Sequence, residues 1–339
     1  MGVQELEARA DGEIAAAVGA VWRSLERPGR WLTSAQRVAV AAECRAAAAV
    51  RRGADPSLTD HHRDLVATVV HDPASLQDEP LDAVLGPGTV IDEYVEVAAV
   101  AAKVIAIDLL CVGLELEPCR CPSPGRGAVA PAPRGAADLG ARVPMLTAEG
   151  LAAELGPGTY HVNVRRGHSL VPEEAGLQID LVNALYLPDL LDPSMPGRRG
   201  LARTQLEAIA TRVSSLNRCF YCSAGHAQLL AMAGGDGPAP DLADAAAGRG
   251  DAGVAHGAEL LALTEALVRR RSSLDAARAE AAGVLDDEQL LGAVATVAAF
   301  VLLNRVSDSS GIPLDDVARG LLAAVPTQVG LDAMPGSSR

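Results

Sequence analysis

Between Asn217 and Leu230 the chain reads NRCFYCSAGHAQLL, with two cysteines three residues apart and a histidine four residues after the second. Those residue types at that spacing can carry thiol chemistry. A Cys-x-x-Cys pair at a helix start can close into a disulfide and reopen with little backbone movement. A histidine one turn below Cys222 can take its proton, the thiolate being the reactive species. Asn217 suits an N-cap, which places Cys219 in the first helical turn, where the partial positive charge of the helix end favours a thiolate. Glu207 lies twelve residues before Cys219 on another predicted helix, LARTQLEAIATRV. A turn at Ser214 to Leu216 would fold that helix back against the next, so that carboxylate, imidazole and thiol line up as a proton relay.

The same side chains allow other readings. Cys219, Cys222 and His226 can be a packed pair of thiols and a satisfied core histidine, or they can hold zinc with Glu207 as fourth ligand. Haem attachment in its usual form is excluded, because it needs the histidine directly after the second cysteine. Phe220, one of only two phenylalanines, and Tyr221 stand between the cysteines. An aromatic there can seal the thiols from water or form a wall of an apolar substrate pocket, and Phe220 reads equally well as a core anchor. Cys119 and Cys121, with Cys111 before them, have no histidine or carboxylate placed beside them and read as cysteines of a flexible linker. His61 and His62 read as a solvated loop pair, His71 as a helix end, and Arg165, Arg166 and His168 as a surface turn.

Helices must position these groups. Aromatic residues are 2% of the 339 and apolar residues 49%, so a large core must be packed from Ala, Val and Leu. That composition favours an all-α fold. Apolar residues recur at three- and four-residue spacing over Ser34 to Arg52, Asp92 to Leu116, Leu201 to Val213, Cys219 to Ala233, Ala258 to Arg271 and Asp287 to Ser307. Strand-like alternation is scarce, with Tyr160 to Val164 the best candidate, and Gly234 to Gly257 reads as a surface loop. The segment from Pro118 to Pro144 is rich in Pro, Gly and Ala and reads as an interdomain linker. The net charge of -14 opposes binding to nucleic-acid phosphates. Leu290 to Leu303 is short for a membrane span and the N-terminus lacks a signal-peptide pattern, so a soluble cytoplasmic protein without a membrane partner is expected. Six cysteines there are buried, catalytic or metal-binding rather than a disulfide framework.

The two halves look like weak copies. Gln36 to Arg52 can be laid on Leu206 to Cys222 without gaps, which sets Ala49 and Arg52 opposite Cys219 and Cys222. Asp92 to Asp108 and Gln289 to Asn304 share the character of a long Ala/Val helix.

The spacing of Glu207, Cys219, Cys222 and His226, with the flanking NRCFYCSAGHAQLL and LLNRVSDSSGIPLD, resembles the alkylhydroperoxidase D-like (AhpD-like) branch of the carboxymuconolactone decarboxylase superfamily. The motif-bearing resemblance covers roughly Leu201 to Asp315. It implies two tandem helical units: a degenerate repeat over 1–117, a linker over 118–144 and the motif-bearing domain over 145–339. It also implies a homo-oligomer with no organic cofactor, which reduces hydroperoxides through a Cys219/Cys222 dithiol–disulfide cycle. An external dithiol donor would restore the cycle, with a peroxiredoxin or a lipoyl-type dithiol as partner. Glu207 and His226 would activate Cys222, and Cys219 would be the more exposed thiol that meets the external disulfide. Tyr221 stands where the best-known peroxidase members have a histidine, a departure that bears on the peroxidase step and leaves dithiol chemistry intact. A general thiol–disulfide oxidoreductase, a cofactor-free decarboxylase and a zinc-clipped protein without enzymatic activity are the alternatives.

Overall fold

The computed structural model describes residues 3–85, 88–127, 135–188, 194–234, 239–269, 272–316 and 329–337. Among them the fold is all-α, with two antiparallel strand pairs of two residues each, Ala136–Ala137 with Met145–Leu146 and Gly197–Arg198 with Leu201–Ala202. The helices in chain order are α1 (Val3–Glu7), α2 (Gly12–Leu25), α3 (Ser34–Ala48), α4 (Asp60–His71), α5 (Leu81–Leu85), α6 (Ile91–Gly113), α7 (Ala148–Leu155), α8 (Asn163–Arg166) and α9 (Pro172–Leu185). They continue with α10 (Arg203–Leu216), α11 (Phe220–Ala233), α12 (Leu242–Ala247), α13 (Gly257–Val268), α14 (Leu274–Ala282) and α15 (Asp287–Ser310).

The chain forms two compact units, each assembled from separate segments. Unit 1 comprises Met1–Asp108, Glu117–Leu181 and Arg305–Pro313; unit 2 comprises Leu109–Leu116, Val182–Asn304 and Leu314–Arg339. The expected division at 118–144 is therefore not where the packing changes. Residues 118–127 are bound into unit 1: the Trp22 indole donates to the Arg120 carbonyl at 2.8 Å, and the Gly125 N–H donates to Ser34 Oγ at 3.0 Å. Proline and glycine there prevent a helix, but they do not prevent an irregular segment from being pinned by side-chain donors. Residues 128–134 of the expected linker lie outside the described residues.

In unit 1 the hairpin of α3 and α4 is tied to α6 through Arg37 to Glu96, Arg45 to Asp108 and His62 to Glu93. Thr33 with Gln36, and Thr59 with His62, close reciprocal caps at the two hairpin helices. His61 and His62 thus lie on α4 rather than in a loop, and buried His62 also meets Glu93 at 3.0 Å. His71 ends α4, as expected, with its Nε2 3.0 Å from the Ala47 carbonyl. The strand candidate at Tyr160 to Val164 is instead irregular backbone entering α8, and Arg165 and His168 are buried rather than on a surface turn. Alternation over five residues was too short a signal to outweigh the local turn.

In unit 2 the hairpin of α10 and α11 meets α15 at Phe300 and Asn304. The region expected to be a surface loop contains α12, whose Leu242, Ala245 and Ala246 are buried in a core with Ala208, Ala224, Ala227 and Leu230. α15 is long and apolar enough to cross a membrane by length and composition, but 89% of its apolar window is buried in the fold. An apolar circumference of that kind is what a central core helix needs.

The ungapped overlay of the halves fails at the hairpins. Eleven residues, 49–59, separate α3 from α4, whereas three, 217–219, separate α10 from α11. Ala49 and Arg52 consequently occupy a loop and not a helix start. Alanine-rich helices can be slid along one another at little cost in similarity, so sequence alone could not place the gap.

Candidate functional site

The site is built where α9 ends and α10 turns into α11. A hairpin first delivers the chain to α10. Arg199 and Gly200 both take left-handed backbone, φ 51° and 68°, as a two-residue turn of the tight primed type requires. The arginines of this hairpin then hold the C-terminal end of α9: Arg198 donates to the Tyr186 carbonyl at 2.7 Å and Arg199 to the Ala184 carbonyl at 2.7 Å. Cations on terminal carbonyls satisfy groups that have no partner within the helix. The result fixes Tyr186, the first residue beyond α9.

Glu207 is fully buried on α10 and both its oxygens are engaged. Oε1 accepts from the Tyr186 hydroxyl and from Arg203 Nε, each at 2.5 Å, and Oε2 lies 2.7 Å from His226 Nδ1. Burial alone would push this carboxyl up, but His226, Arg203 and Tyr186 outweigh it and hold Glu207 below the usual carboxylate range. Burial and the neighbouring Glu207 charge push the Tyr186 phenol well above its ordinary value, so it remains a donor. With Nδ1 committed to the carboxylate, Nε2 is the imidazole nitrogen that can exchange a proton with a thiol. The ring itself is fixed by edge-on contacts, 4.3 Å between centroids to Phe300 and 6.2 Å to Tyr186.

The turn between the helices is specific. α10 runs through Leu216, so the chain reverses at Asn217 to Cys219 and not at Ser214 to Leu216 as expected. The Arg218 N–H donates to the Ser215 carbonyl at 3.1 Å and the Cys219 N–H to the Ser214 carbonyl at 3.0 Å, the paired bonds of a Schellman termination. Arg218 takes the left-handed position, φ 57°, that glycine usually fills. Asn217 is the C-cap of α10, and Cys219, not Asn217, is the N-cap of α11. The Asn217 amide donates to Asn304 Oδ1 at 2.8 Å, and Asn304 Nδ2 donates to Ser214 Oγ at 3.1 Å, tying the turn to α15.

Cys222 and His226 are one turn apart on α11 and share a face. Neither Cys219 nor Cys222 is in a disulfide. Cys219 is 0% exposed and Cys222 2%, so Cys219 is not the more exposed thiol. Its position at the N-cap turns it inward toward α15, with Sγ 4.0 Å from the Asn304 carbonyl. Phe220 packs on the core cluster of unit 2, and the Tyr221 hydroxyl donates to Asp315. An open hollow of about 380 Å³ in unit 2 is lined from Gly248 to Glu280 and includes neither aromatic residue.

Among the described residues no group of three or more His, Cys, Asp and Glu is arranged to hold a metal ion. A zinc set including Glu207 would have to break its bonds to His226, Arg203 and Tyr186. Sequence reasoning missed Tyr186, Arg203 and Phe300. Arg203 was signalled by its place four residues before Glu207, an ion-pairing interval on a helix; Tyr186 and Phe300 carried no local signal, since only tertiary folding brings them to His226.

Unit 1 holds a different polar cluster. Arg37 donates to Glu96 at 2.8 Å and also to Glu174, and Lys103 pairs with Glu174 at 2.7 Å. Glu96 additionally accepts the backbone N–H groups of Arg30, Trp31 and Leu32. All four side chains are buried, and two cations balance two anions. Comparison of the chain with protein-family models, curated proteins and solved structures returns no match.

Proposed function

We propose that unit 2 is a thiol-dependent peroxidase of the AhpD-like type. The observation that supports this reading best is the 2.7 Å contact between Glu207 and His226 across the α10–α11 hairpin, with Cys222 one turn before that histidine. The carboxylate, imidazole and thiol pair read from spacing lie within one hairpin, and the carboxylate is held in its charged form.

In the proposed cycle His226 Nε2 takes the Cys222 proton while Glu207 stabilises the resulting imidazolium. The thiolate attacks the terminal oxygen of a hydroperoxide; the O–O bond breaks, an S–O bond forms, and the alkoxide leaves as the alcohol with the proton from His226. Cys219 then displaces the hydroxyl of the Cys222 sulfenic acid, releasing water and closing the disulfide. An external dithiol reduces that disulfide. Burial of both thiols suits a small hydroperoxide, and recharging by a dithiol requires the hairpin to open or a slender donor to enter.

Free-thiol counting and intact mass after a small excess of organic hydroperoxide test the cycle. Fast loss of two thiols, abolished in Cys222→Ser and slowed in Glu207→Ala, is expected. Thiols that stay reduced under peroxide end the peroxidase reading. A second reading, thiol–disulfide reductase, is favoured by Tyr221, whose hydroxyl is tied to Asp315 and places no imidazole between the cysteines. It predicts turnover of small disulfides with no reaction toward hydroperoxides.

A further inference from the structure

Cys119-Arg120-Cys121 in unit 1 lies outside the dithiol of unit 2 and has no part in the proposed cycle. Arg45, on α3, organises this tripeptide. Its guanidinium is gripped by both oxygens of Asp108, each at 2.7 Å, and lies 5.8 Å from the Trp22 ring centroid. From that fixed position Nη2 donates to the Cys119 carbonyl at 2.7 Å and Nη1 to Cys121 Sγ at 3.3 Å. The Trp22 indole holds the Arg120 carbonyl between them. Three donors therefore fix three consecutive residues of a segment whose composition alone would leave it mobile.

The two thiols differ in access. Cys119 is buried, Cys121 is half-buried, and the Arg120 side chain between them is exposed. A reachable thiol beside a guanidinium, with a sheltered thiol two residues away, is the division of labour between an attacking and a resolving cysteine. Across two residues the Cα atoms are at most about 7 Å apart, near the upper end of the disulfide window of about 4.4–6.8 Å. Closing the pair needs a local adjustment of backbone, not a rearrangement of helices.

We propose that Cys119 and Cys121 form a second thiol–disulfide exchange site, whose substrate is a small disulfide bearing carboxylates that Arg120 attracts. The Cys121 thiolate attacks one sulfur of the disulfide; a Cys121–substrate S–S bond forms, and the other half leaves as thiolate and is protonated. The Cys119 thiol gives its proton to solvent and displaces the second half. The protein dithiol is oxidised to the Cys119–Cys121 disulfide and the substrate disulfide is reduced to two thiols. Burial pushes the Cys121 thiol up, Arg45 pulls it back and nearby Asp108 adds to the rise. The exchange is therefore slow at neutral pH and accelerates about tenfold per pH unit as the thiolate fraction grows.

The test equilibrates the full chain with oxidised glutathione over a range of ratios, alkylates the remaining thiols, and maps residues 119 and 121 by mass spectrometry. Both should lose alkylation together as one intramolecular disulfide. Cys119→Ser should arrest the reaction at a glutathione adduct on Cys121, and Cys121→Ser should leave Cys119 alkylatable. Arg45→Met should slow the adduct step about tenfold at pH 8 and move its pH profile upward, a change that mere loss of packing would not produce. Neutral hydroxyethyl disulfide should react more slowly than oxidised glutathione, and Arg120→Ala should erase that difference. A stable adduct on Cys121 in the wild type, or two thiols alkylatable at every ratio, overturns the proposal.

Discussion

Glu207 illustrates how one carboxylate can organise a site. It accepts three hydrogen bonds, one of them from Tyr186, a partner that no local pattern joins to it. Replacement by glutamine keeps the shape but removes the charge that stabilises the imidazolium, and should slow hydroperoxide-driven loss of the two thiols by roughly 10²-fold or more. Tyr186→Phe should leave the relay in place and cost about 1.5–3 kcal/mol of stability, read from urea unfolding. Because Glu207 is held below the ordinary carboxylate range, its stabilising contribution is fully present above about pH 4.3 and is lost only as pH falls through its lower folded value. His168 behaves differently. Ser309 Oγ donates to the Arg305 carbonyl, so His168 Nε2 must donate to Ser309, leaving buried Nδ1 without a partner among the described residues. Burial first, then the Lys103 charge, lowers its pKa to about 3. The unfolded chain takes up this proton near pH 6.5, the folded one only near 3, so stability should decline across that interval. Urea midpoints at pH 7 and pH 5 should differ less in His168→Gln than in the wild type; an equal difference would exclude His168 as the source.

At the scale of elements, the hairpin of α10 and α11 depends on Arg218 occupying a left-handed position. Arg218→Gly should relieve that cost and raise stability by roughly 1 kcal/mol, seen as a higher urea midpoint with an unchanged slope. An unchanged midpoint would mean the backbone there carries no such cost. Helical spacing in the sequence was enough to locate α3, α6, α10, α11, α13 and α15, because each repeats its apolar positions over several turns. It was enough, too, to put Glu207, Cys219, Cys222 and His226 on one hairpin. It did not mark α2 or α9, and much else that it did not resolve was short-range or assembled by folding. α12 hid among Gly, Pro and Asp, and the reversal at Asn217 to Cys219 carried arginine where glycine would have announced it. The exposure of Cys219 implied by the resemblance does not hold, because Asn304 of α15, 85 residues away in sequence, lies against it.

At the scale of the whole molecule, the chain builds two helical cores and gives them different polar hearts. Unit 2 centres on an engaged carboxylate and imidazole; unit 1 centres on a neutral set of two cations and two anions. Arg37→Met would leave Glu96 and Glu174 to share Lys103, at a cost of about 3–5 kcal/mol measured by denaturant unfolding. A loss within a few tenths of a kcal/mol would show that water reaches the cluster. Lys103 is the only lysine in the chain, and it is 1% exposed, with its ammonium within 2.7 Å of Glu174 and of the Ala99 carbonyl. The protein thus keeps its single side-chain amine out of reach of any acylating reagent while unit 1 stays folded. Labelling at Lys103 becomes a clock for the opening of one named core, with no engineered probe and no competing lysine to subtract.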